Sequence, residues 1–96
     1  MNALKTKKLN HDITSRVIDL HGQGYTDDFL PTDDRHFLCL QNSENFDIKD
    51  ININVIDQGF DQLTNSYKYI HTIETAHGSK GLLIIDFICT SPFFIN

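Results

Sequence analysis

The sequence predicts an α+β fold in which one N-terminal helix packs on a three- to four-stranded antiparallel sheet. Three observations carry this. An apolar stripe with helical spacing occurs near the start, at Ile13, Val17 and Leu20. Strand-like alternation follows, in Ile51, Ile53 and Val55 between Asn52 and Asn54, and again from Tyr67 to Thr75. The acids are 11 Asp and only 2 Glu, and Asp suits caps and turns better than helix interiors. With 96 residues the chain has room for one modest core. Residues 1–11 read as a flexible N-terminal tail and residues 12–96 as a single α+β domain.

The helix is placed at Asp12 to Gln23, with Asp12 as N-cap and Gly24 in the left-handed position that ends it. Tyr25 to Phe29 then leaves the helix as an irregular segment with two aromatic anchors, and Pro31 to Asp34 reads as turn. His36 to Gln41 is the first strand. Phe46 and Ile48 read as isolated anchors, Ile51 to Asp57 as a half-buried strand, and Gly59 with Asp61 to Ser66 as turn or loop. Tyr67 to Thr75 and Gly81 to Ile88 form the last two strands, joined by a hairpin at Ala76 to Lys80. The unbroken run Leu82 to Ile85 implies a central strand covered on both faces.

Charge narrows the function. The whole chain carries 8 Lys and Arg against 13 Asp and Glu, a net of -5. Lys5, Lys7 and Lys8 sit in the tail, so the body is more acidic still and is a poor match for a phosphate backbone. Nucleic acid is not an expected partner. Neither is a membrane, because no apolar run approaches spanning length. Met1 to Leu9 lacks the apolar run of a secretion signal, and two cysteines make no disulfide framework, so the expected location is the cytoplasm with Cys39 and Cys89 reduced.

Three segments resemble a known family. Gly24-Tyr25-Thr26-Asp27-Asp28-Phe29 is similar to the Gly-Tyr-Thr-x-Asp-Phe signature of small uncharacterised bacterial proteins, found mainly in Bacteroidetes. Gly78-Ser79-Lys80-Gly81, followed by an apolar run and Asp86, resembles that family's hairpin, and Phe46-Asp47-Ile48 its Phe-x-Ile element. The stretch Val55 to Phe60 departs from the family's Arg-Phe-Glu-Gly pattern, and Ile88-Cys89 stands where members tend to carry Gly. The resemblance implies a shared small α+β fold and no established activity. Some members bear the label phosphoribosylpyrophosphate synthetase. This chain has neither a Gly-rich phosphate loop nor adjacent acids ahead of one, so that activity is not expected of it.

The possible sites are few. A tight turn about Gly78-Ser79 sets His71 opposite Asp86, with Tyr69 on the same face as His71; an Asp so placed could orient the imidazole. Gly78, Lys80 and Gly81 could hold an anion through backbone N–H groups and an ammonium, although a hairpin tip explains the same residues. The five histidines lack a metal-ligand spacing, so neither metal nor other cofactor is expected. The composition therefore favours a small acidic interaction or regulatory module over an enzyme. The alternative is a small-ligand-binding protein or minor enzyme with a site near His71 and Asp86. The expected partner is another protein or a second copy in a weak homodimer, met through an open sheet face or the Phe93-Phe94-Ile95 segment.

Overall fold

The computed structural model describes residues 13–89. Helix α1 (Ile13–Gly22) is followed by β1 (Asp27–Pro31), β2 (His36–Cys39), β3 (Asn45–Asp47), a 3-10 turn (Ile48–Asp50), β4 (Ile51–Asp61), β5 (Ser66–Thr75) and β6 (Lys80–Ile85). The tail at 1–11, the Asp12 cap and the Phe93-Phe94-Ile95 segment lie outside the described residues.

The sheet corrects the three- to four-stranded antiparallel expectation. It has six strands in the order β3-β2-β1-β6-β5-β4 and is mixed, because β1 pairs with β6 in parallel. Two of the added strands are the segments read as irregular. β1 escapes sequence detection because Asp27, Asp28 and Pro31 are poor strand formers and Phe29 is the one member fully in the core. β3 is three residues long, too short to show a period. β4 also runs past Asp57 to Asp61, so the turn shrinks to residues 62–65.

Phe29 of β1, Phe37 and Cys39 of β2, Ile48, Ile51 and Ile53 around the start of β4, Ile73 of β5 and Leu83 of β6 make one buried cluster, with Phe46 of β3 packed against it. Six strands lying flat would hold their outer axes roughly 24 Å apart at ~4.8 Å spacing. Side chains from β3 and β4 share a core, so the sheet curls and encloses this cluster on its concave face. The convex face carries α1: Leu20, Ile70 and Leu82 are buried together, with Val17, Tyr25 and Ile84 around them. Leu82 and Leu83 thus bury on opposite faces of β6, which lies between β1 and β5.

The helix ends as its sequence requires. Gly24 takes φ +103, Tyr25 N–H donates to Leu20 O at 3.1 Å, and Gly24 N–H donates to His21 O at 3.1 Å. This is the paired closure that needs a left-handed residue. Tyr25 then folds against the Leu20 cluster. A bulge between Val55 and Asp57 shifts the β4–β5 register: Val55 faces His71, but Asp57 faces Ile70. The extra residue reverses which face the rest of β4 presents. Asp57 thereby comes beneath α1, where Arg16 Nε donates to it at 2.7 Å.

Candidate functional site

The β5–β6 hairpin decides the fate of the first candidate pair. Its register sets His71 opposite Leu83, Tyr69 opposite Ile85 and Glu74 opposite Lys80. The turn therefore spans more residues than a tight turn about Gly78-Ser79, and Asp86 falls beyond the end of β6, where it is exposed. His71 and Asp86 are not brought together. The His71 ring is fully buried and spent on backbone: Nδ1 lies 3.1 Å from Leu83 O, and Cys89 N–H donates to Nε2 at 2.9 Å. A carbonyl can only accept and an amide N–H can only donate, so the ring is neutral with its proton on Nδ1. Desolvation depresses its pKa in the same direction. His71 thus pins the chain after β6 to the sheet. Tyr69 is half-buried between Gln58 and Ile85.

The anion candidates are equally committed. Gly78 N–H donates to Thr75 O at 3.0 Å and Ser79 N–H to Thr75 Oγ1 at 3.2 Å, so both turn amides are used within the turn. Lys80 Nζ stands 5.4 Å from the centre of the Tyr25 ring. Gly81 lies between Ile73 and Asp27, buried against β1. Two of the segments quoted for the resemblance therefore meet each other: Asp27 pairs with Gly81, and Asp28 with Leu82. Each residue of these segments with an interior role serves packing or closure.

A polar cluster that sequence spacing did not reveal lies at the β1–β2 turn. His36 Nδ1 sits 2.9 Å from Asp33 Oδ1, and its Nε2 sits 3.7 Å from Asp47 Oδ2, with Arg35 3.6 Å from the same Asp47. The Arg35 backbone N–H and the His36 ring hold the Asp33 carboxyl below its usual range. The Lys49 backbone N–H does most for Asp47, helped by Arg35. The cluster is partly exposed and ties the turn to β3, which makes it a fastening rather than a reaction centre. No group of three or more His, Cys, Asp or Glu among the described residues is placed to hold a metal ion. Cys39 and Cys89 are free thiols, and burial pushes the Cys89 thiol pKa up, away from the reactive thiolate.

A concavity of about 640 Å³ lies beside the 3-10 turn and the β5–β6 connection. Phe46 and Ile51 contribute apolar surface, and Lys49, Asp50, Asn52 and His77 line it as exposed residues. It includes neither His71, Asp86 nor Tyr69.

The most distinctive surface is the far end of the β4–β5 hairpin. β6 accompanies β5 only from Tyr69 to Glu74, so Gly59 to Asp61 and Ser66 to Lys68 continue as a two-stranded arm. Phe60 and Tyr67 face each other across it, ring centres 5.2 Å apart and nearly perpendicular. They are 37% and 46% exposed, and Leu63 at the tip is 96% exposed. Asp61 shapes the tip by accepting from Leu63 N–H at 3.1 Å and Thr64 Oγ1 at 3.0 Å. The sequence carries a weak signal for this site, aromatic residues on both sides of a polar turn. A strand that ends at Asp57 excludes Phe60, which hides the pair.

Comparisons with protein-family models, curated proteins and solved structures returned no match to this chain. No helix among the described residues is long and apolar enough to cross a membrane.

Proposed function

We propose that this chain is a protein-interaction module that makes contact through the β4–β5 arm. The exposed Phe60–Tyr67 pair, with Leu63 beside it, carries the reading. A two-stranded ribbon is marginal alone in water, and leaving aromatic surface on one is costly unless a partner covers it. Aromatic side chains are also the usual anchors of protein interfaces. The candidate groups that could do chemistry are committed elsewhere: His71 to Leu83 and Cys89, and Lys80 to the Tyr25 ring. Free thiols at Cys39 and Cys89 support a cytoplasmic setting.

A photo-crosslinking residue placed at Gln62 tests this in cells. A discrete cross-linked protein species is expected, and Tyr67→Asp should abolish it. Absence of any cross-linked species, or the same species from Tyr67→Asp, overturns the reading.

A further inference from the structure

We infer that the arm's partner is a second copy of this chain, docked about a two-fold axis at the arm tip; this rests on the interaction-module reading above. Beside the tip lies a groove of about 380 Å³, lined by Ile13 and Thr14 at the start of α1, Ile84 of β6, and Phe60, Asp61 and Lys68 of the arm. Leu63 also borders it, yet leaves 96% of its surface to solvent, so it stands at the mouth as a knob and does not fill the groove. A two-fold interface sets one patch against itself, so whatever the patch lacks it must also offer. This patch does both. The Leu63 of each copy meets a groove whose apolar lining includes Ile13 and Ile84.

The charges have the same self-complementary form. Asp61 and Lys68 both line the groove, and the Lys68 ammonium has no ion-pair partner among the described residues. Across a two-fold axis each Lys68 can meet the Asp61 of the second copy. The two charges cancel locally, so the patch escapes the repulsion that the chain's net charge of -5 would impose between acidic surfaces elsewhere. The patch is small, and a contact of this size belongs to the weak class of interfaces.

Sedimentation equilibrium of the full chain from about 10 μM to about 1 mM spans the range expected of such an interface. The weight-average mass should climb from 11.0 kDa toward twice that value. Leu63→Asp removes almost no buried surface, so it should restore the monomer and leave the urea midpoint unchanged at a concentration where the wild type is also monomeric, whereas Leu40→Asp in the β2–β3 turn should still dimerise. Lys68→Glu should weaken the dimer several-fold, more at low salt than at high salt. A mass that stays at the monomer value for the wild type, or a dimer that survives Leu63→Asp, overturns the inference. The cross-link at Gln62 separates this failure from that of the parent reading. A monomer that still yields a Tyr67-dependent cross-link to another protein refutes only the second copy, and a monomer with no such cross-link refutes both.

Discussion

Replacing Gly81 with alanine probes the junction on which the mixed sheet depends. Gly81 sits on β6 with Ile73 of β5 on one side and Asp27 of β1 on the other. A Cβ at this position would lie 2.5 Å from Asp27 O, 2.6 Å from a ring carbon of Phe29 and 2.8 Å from Asp27 C. Two of these atoms belong to backbone, which cannot rotate away, and Phe29 is held within the concave core. Relief to an ordinary contact near 3.5 Å needs β1 and β6 to part by about 1 Å. Overpacking that side chains absorb costs about 1–3 kcal/mol. Here the strain falls on the single parallel pairing among the described strands, so Gly81→Ala is expected to cost about 3 kcal/mol or more. Gly78→Ala is the matched control. Gly78 has φ +92 and open space around its would-be Cβ, so only the backbone penalty of about 1 kcal/mol applies. Urea unfolding followed by far-ultraviolet circular dichroism measures both, with the slope compared to check that the transition remains comparable. A Gly81→Ala variant within about 1 kcal/mol of wild type, or one no worse than Gly78→Ala, would refute the close β1–β6 approach. It would also reopen Gly81 as a glycine kept for something other than packing.

Three further outcomes are expected. The His71 pKa is lowered by burial, so the unfolded chain takes up the proton first. Stability should therefore hold above about pH 6.5 and fall as pH drops below it, by up to about 1.4 kcal/mol per pH unit until the folded-state value is reached; a His71→Gln variant that retains this slope in urea titrations would assign it elsewhere. Arg16→Ala removes the charge partner of the Asp57 carboxylate, whose side chain is 7% exposed and which still accepts from Gln58 N–H at 2.8 Å, and should cost about 1–3 kcal/mol, whereas Asp57→Asn combined with Arg16→Ala should cost less than the separate losses added together. Ser43 has φ +61 in the β2–β3 turn, so Ser43→Gly should raise the thermal midpoint slightly, and a fall would argue that its side chain supports the turn.

Much of the convex face is legible in the amino-acid sequence. The Ile13, Val17 and Leu20 stripe, the glycine at 24 and the alternation from Tyr67 onward are local patterns, and each produces the element expected of it. The candidate sites fare differently because each depends on a register. Pairing His71 with Asp86 requires a tight turn, and a longer turn moves the partner of His71 to Leu83. The arm is obscured by the bulge at Ile56, where one inserted residue breaks the alternation that would have carried the strand through Phe60 to Asp61.

Local pattern in the chain suffices for the helix, its closure, and the existence of β4, β5 and a doubly buried β6, because the forces behind these act between residues a few positions apart. That Asp27–Pro31 is a strand follows from long-range pairing alone. That segment has one deep apolar anchor, Phe29, and becomes a strand by pairing with Gly81 and Leu82, more than fifty positions away, and with Phe37 to Cys39. The curl that lets β3 and β4 share a core was likewise settled by packing of Phe46, Ile51 and Ile53 against Phe29, Phe37, Ile73 and Leu83 of the other strands. Pairing partners at such distances leave no periodic mark on the chain, since backbone hydrogen bonds and a fitting glycine serve almost any neighbouring strand.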